Sequence, residues 1–132
     1  MYSFEQFKRS RWSLVALANG RVVYRSRGRA LKPLTRLHRE RQASWGDLTI
    51  YDEYVGRAAA LLTVLLHPVA VHTPIVSEAG EAVLREHGVE LHSDKRVKWL
   101  MGVASEGMCE WEKLSMEHTP ESFLELVTKR RR

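Results

Sequence analysis

The residues best suited to chemistry stand in two short stretches. The first is Tyr51-Asp52-Glu53-Tyr54-Val55-Gly56-Arg57. It follows the apolar residues Leu48 and Ile50 and precedes Ala58-Ala59-Ala60-Leu61-Leu62, so it marks the passage from a buried strand into a buried helix. In open α/β sheets, ligands collect outside the carboxyl ends of the strands, where the helices begin. Asp52, Gly56 and Arg57 occupy that place. Asp52 reads either as a helix N-cap, worth about 1 kcal/mol, or as an acceptor for a ligand hydroxyl. Gly56, which inside a helix costs about 1 kcal/mol relative to alanine, serves either close packing of helix on sheet or close approach of a ligand. Arg57 is either a paired helix residue or a cation for that ligand. The second stretch is Gly107-Met108-Cys109-Glu110-Trp111-Glu112. A thiolate at a helix start is stabilised by the helix. Glu112, three residues beyond Cys109, could face the same way, and the pair could do nucleophilic or acid–base work. No neighbouring histidine stands by to activate Cys109, and a buried, inert thiol has the same sequence signature.

These stretches need a scaffold, and the composition supports one. The chain has 132 residues, 44% hydrophobic and 28% charged, which is the balance of a single globular domain with a real core. One cysteine excludes an internal disulfide and a multi-cysteine metal site within one chain. Residues 1–8 are amphipathic, so no signal peptide is expected and a cytoplasmic location is the default. The net charge of +5 suggests anionic partners, although much of the excess lies in Arg25, Arg27 and Arg29 and in the tail Lys129-Arg130-Arg131-Arg132, which reads as a solvated end. The helix of residues 54–66 is apolar on nearly every side and therefore internal. At about 13 residues it is short of the roughly 20 that span a bilayer, and no membrane partner is expected.

The elements follow in order. Residues 2–10 form a helix with Phe4 and Phe7 on one side. Residues 13–18 and 21–24 form a hairpin around Asn19-Gly20, a type I′ turn signal. Pro33 opens the next helix, which packs through a stripe of Leu34, Leu37, His38 and Arg41. Residues 48–51 are the central strand and 54–66 the buried helix. Residues 69–73 form a strand, and Ser77 caps a helix with Ala79, Ala82 and Val83 inward, closed by Gly88. Residues 89–92 form a last strand, 93–98 a basic loop, and 99–104 an ambiguous apolar stretch. Thr119-Pro120-Glu121 starts a helix buried through Phe123, Leu126 and Val127. Strands alternating with helices require a mixed, mostly parallel sheet covered by helices, here a three-layer α/β/α sandwich of about five strands.

Four segments in series carry a resemblance: Leu31-Lys32-Pro33-Leu34, Asp52-Glu53-Tyr54-Val55-Gly56-Arg57-Ala58, Leu84-Arg85-Glu86-His87-Gly88 with Ser77 before it, and Gly107-Met108-Cys109-Glu110-Trp111-Glu112-Lys113-Leu114. Across residues 12–127 the chain resembles a family of short prokaryotic proteins known only as domain of unknown function 1893, with the element order of the cytidine-deaminase-like fold. The resemblance implies that fold without implying deamination. A zinc deaminase needs His-x-Glu at one helix start and Pro-Cys-x-x-Cys at the next. Here those places hold Arg29-Ala30-Leu31-Lys32-Pro33 and Asp52-Glu53-Tyr54-Val55-Gly56, with no histidine or cysteine. His38-Arg39-Glu40 has the spelling but lies near the end of its helix. No zinc or other cofactor is therefore expected.

On that fold two helix N-termini converge where zinc would sit, and their free N–H groups favour anions. Lys32 at the first and Arg57 at the second would add charge. The expected partner is an anionic, nucleotide-like small molecule held by Lys32, Asp52, Gly56 and Arg57, with Cys109 and Glu112 at the rim for any catalysis. Two other classes remain open. One is nonspecific nucleic-acid binding through Arg21, Arg25, Arg27, Arg29 and Lys32 at the hairpin exit. The other is a non-catalytic regulatory or scaffold domain, with a homodimer compatible with either.

Overall fold

A computed structural model describes residues 1–98 and 110–130. The chain runs α1 (Phe4–Arg9), β1 (Leu14–Ala18), β2 (Arg21–Ser26), α2 (Lys32–Glu40), β3 (Leu48–Asp52), β4 (Tyr54–Val55), α3 (Arg57–Val64), β5 (Ala70–Ser77), α4 (Glu78–Glu86), β6 (Glu90–Val97), α5 (Glu110–Ser115) and α6 (Pro120–Arg130). The strands form one mixed six-stranded sheet. β1 is antiparallel to β2 and β3, while β5 is parallel to β3, β4 and β6. The hairpin turn has φ of 52° at Asn19 and 79° at Gly20, as a type I′ turn demands.

The sheet has two unequal faces, set by the period of two along each strand. Leu14, Ala16, Leu48, Ile50 and Val71 join the main core with Leu37, Leu61, Leu62, Leu84 and Phe123 from the helices. Val15, Leu17 and Tyr51 point the other way and are covered by Phe7, with Tyr2, Phe4 and Trp12 packed beside them. Helix α3 is the hub of the main side: it packs against α2, α4, α5 and α6, and Ala58 through Val64 are all buried.

Four local expectations are revised. The buried helix begins at Arg57, because Tyr54 and Val55 pair with Ile75 and Val76 of β5. That pairing continues the register of Tyr51 with His72, so β3 and β4 are one strand line interrupted at Glu53. Asp52 therefore ends a strand and is not a helix N-cap; the cap position is Gly56. The expected loop at 93–98 is mostly strand, since β5 runs to Ser77 and supplies partners for β6 up to Val97. In α4 the inward residues are Gly80, Val83 and Leu84, and Ala82 is exposed. A Cβ on Gly80 would stand 2.8 Å from the carbonyl oxygen of Val55, so glycine lets α4 lie directly on the start of α3.

Candidate functional site: a carboxylate-lined cavity at the strand break

The interruption between β3 and β4 opens a cavity of about 400 Å³. Its floor is Asp52, Glu53 and Tyr54 at the break, with Ser13 beside them. One wall is the connection after β2, with Gly28, Ala30 and Leu31, continued by Pro33 and Leu34 of α2; another is the start of α3, with Gly56, Ala58 and Ala59; Trp111 and Glu112 of α5 close a third. The connection is held in shape by Ser13, whose hydroxyl shares its one proton between the carbonyls of Ser26 (2.9 Å) and Gly28 (2.8 Å). Ala30 sits at φ 55°, an unfavourable conformation for a residue with a Cβ.

Asp52 is two residues beyond Ile50, so its side chain turns to the same side of the sheet as the main core and the cavity. It keeps some exposed surface where it lines the cavity, yet protein atoms surround it. Burial raises its carboxyl pKa from 3.8 to about 8; the charge of Glu53 pushes the same way, and the backbone N–H groups of Tyr54 and Glu53 pull back less. Glu53 is itself raised by burial. Among the described residues, no lysine, arginine or histidine lines the cavity.

Glu112 lies 3% exposed, and its role is visible in its partners. Its carboxylate accepts the backbone N–H groups of Arg57 at 2.9 Å and Ala58 at 2.7 Å. Gly56 has no side chain to cap α3, so Glu112 caps it from α5. A Cβ on Gly56 would stand 2.5 Å from the Glu112 carboxyl atoms, which explains glycine there through contact with a neighbouring helix. The favourable place for an anion at this helix start is thus filled by the chain's own carboxylate.

The remaining expected site residues do not gather at the cavity. Arg57 reaches away: its Nε donates to the carbonyl of Ser115 (3.0 Å) and an amino group donates to that of His118 (3.1 Å), satisfying the end of α5. Lys32 is exposed and does not line the cavity. Asp52, Gly56 and Glu112 are brought together, as a carboxyl, a close-contact glycine and a cap. Cys109 lies outside the described residues, as do the apolar stretch 99–104 and Arg131 and Arg132 of the tail. The arginines at the hairpin exit are partly engaged, Arg25 and Arg27 lying 4.5 and 4.3 Å from the Trp12 ring centroid. His38 is half-buried, and its Nε2 lies 2.7 Å from the carbonyl oxygen of Leu62, with burial lowering its pKa. Among the described residues, no three His, Cys, Asp or Glu side chains could together hold a metal ion. None of the described helices is long and apolar enough to cross a membrane.

Sequence reasoning missed Glu53 and Tyr54 as cavity residues and Glu112 as a cap. One signal was present: a helix opening on Gly56 without Ser, Thr, Asp or Asn must find its cap elsewhere.

The chain is thus a mixed α/β domain with a carboxylate-lined, mostly apolar cavity at the end of its central strand. The family model described as TM1506, domain of unknown function (DUF1893), matches residues 3–129, and the chain belongs to that family. A crystal structure of a DUF1893 family protein (TM1506) from Thermotoga maritima is similar to it, with 25% identity and a TM-score of 0.85 over 96% of this chain and 85% of that one. No curated protein matches the chain.

Proposed function

We propose that the chain is a small-molecule-binding domain, a three-layer sandwich of the cytidine-deaminase-like class working without that class's zinc chemistry, and that its ligand occupies the cavity at the β3–β4 break. One observation carries the reading: a half-buried carboxyl, Asp52, faces an opening of about 400 Å³ with no cation of the protein opposite it among the described residues. Burying such a group costs stability unless it is put to use, and a mostly apolar pocket with a few convergent polar groups is the usual form of a ligand site. The element order and the antiparallel hairpin at the sheet edge support the fold class. The site also lies where open α/β sheets bind, at the carboxyl end of a central strand.

The lining speaks against a nucleotide-like anion as the occupant. Lys32 and Arg57 were the cations for it, and neither faces the cavity. The helix start that would receive a phosphate holds Glu112. Catalysis through Glu112 would require it to leave two backbone N–H groups without partners. The reading is tested by filling the cavity. Ala59→Met places a longer apolar chain in it from the wall of α3, where methionine is a good helix former. In a thermal-shift screen, compounds that stabilise the wild type should leave the variant's melting temperature unmoved, while the variant itself melts no lower than the wild type. Equal stabilisation of both proteins would put the binding place elsewhere.

A further inference from the structure

We infer that the cavity selects an organic cation with an apolar body, such as an amidinium or a protonated amine on a ring, and that Asp52 is its counter-charge. The inference rests on the cavity being a binding site and adds the ligand's charge. Three acidic residues line the cavity from three places: Asp52 at the end of β3, Glu53 at the break, and Glu112 on α5. The Glu112 carboxylate is committed to the N–H groups of Arg57 and Ala58, and the Asp52 carboxyl has the backbone N–H groups of Tyr54 and Glu53 but no cationic side chain among the described residues that line the cavity. Most of the remaining lining is apolar, including Leu31, Leu34, Ala59 and Ile75, with the aromatic residues Tyr54 and Trp111. Tyr54 lines the cavity and is 53% exposed. An apolar enclosure with acidic and aromatic residues, and no cation among the described residues, is complementary to a cation carried on a hydrophobic frame. It repels a carboxylate or phosphate, which would meet like charges at short range.

The pairing is coupled to protons. The groups acting on Asp52 are the Glu53 charge and the backbone N–H groups of Tyr54 and Glu53; Glu112 lines the same cavity, and none of the described residues lining it brings positive charge. Asp52 therefore holds a proton near neutral pH, and a bound cation displaces it. One proton leaves for each cation that enters. Affinity for a permanent cation should rise about tenfold per pH unit up to the free-state pKa of about 8 and level off above it.

Three probes of one shape but different charge make the test: benzamidinium, benzamide and benzoate, titrated into the ¹⁵N-labelled full chain and followed by amide shifts. Benzamidinium should move the amides of Asp52, Glu53, Gly56 and Ala58 and bind at least tenfold more tightly than benzamide above the Asp52 pKa, with benzoate weakest. The preference should weaken towards acid pH and vanish in Asp52→Asn, whose amide spectrum otherwise stays that of the folded wild type. Benzamide binding the same residues as tightly as benzamidinium would overturn the charge inference and leave the cavity as a binding site. No cavity amide moving with any probe would overturn both.

Discussion

Asp52 is the residue on which the functional reading turns, and its setting has a consequence for stability. Its folded-state pKa of about 8 lies above the ordinary 3.8. Between those values the folded chain holds a proton that the unfolded chain has released. Stability must therefore fall as pH rises through that window, by up to about 1.4 kcal/mol per unit from this group alone, and the loss is complete above the folded pKa. Asp52→Asn removes this dependence. Urea unfolding should show the variant gaining on the wild type from about pH 5 to about pH 8, with a constant difference above; parallel pH courses for the two proteins would contradict the burial of this carboxyl. The sequence singled out Asp52 for its place after a strand. It hid the reason the place matters, because the two-residue pairing of Tyr54 and Val55 with β5 depends on Ile75 and Val76, far along the chain. Arg57 misled for a similar reason: its partners are backbone carbonyls of Ser115 and His118, which no side-chain pattern announces.

At the scale of elements, the joint between α3 and α5 holds the cavity wall in place. Glu112→Ala should cost about 1.5–3 kcal/mol, the scale of hydrogen bonds to a charged group. Gly56→Ala should cost about 1–3 kcal/mol by overpacking against that carboxylate. The double variant should be more stable than the sum of the two costs implies, because the Glu112→Ala change removes the three atoms that stand nearest to the new methyl. Chemical denaturation of the four proteins measures the coupling, and simple additivity would mean that Gly56 answers to something other than Glu112. Arg57→Ala should cost about 1–3 kcal/mol of stability through loss of the α5 end, read by chemical denaturation, and leave probe binding in the cavity intact. The buried character of α3 was legible from its unbroken apolar run, and Leu62→Ala should cost about 2–5 kcal/mol. A loss below about 0.5 kcal/mol is what an exposed leucine would show. The continuation of β6 to Val97 was not legible, because its residues are polar edge positions whose strand conformation is supplied by pairing with β5.

Across the whole molecule the organisation is lopsided. Most helices gather on one side of the sheet around α3, while α1 covers a smaller cluster on the other. Alternation of strands and helices made the α/β class readable, since each β–helix–β passage between parallel strands places its helix on a sheet face. The cavity was not readable, because it is assembled from the strand break, the connection after β2, the start of α3 and α5. Its use depends on whether the enclosure truly withdraws Asp52 from water. The carboxyl ¹³C shift of Asp52, followed through a pH titration of the free protein, measures this without any ligand. A midpoint near 8 is the result expected for a desolvated carboxyl awaiting a counter-charge. A midpoint near the ordinary 3.8 would mean a solvated aspartate, and would contradict the cavity's role as a site built around it.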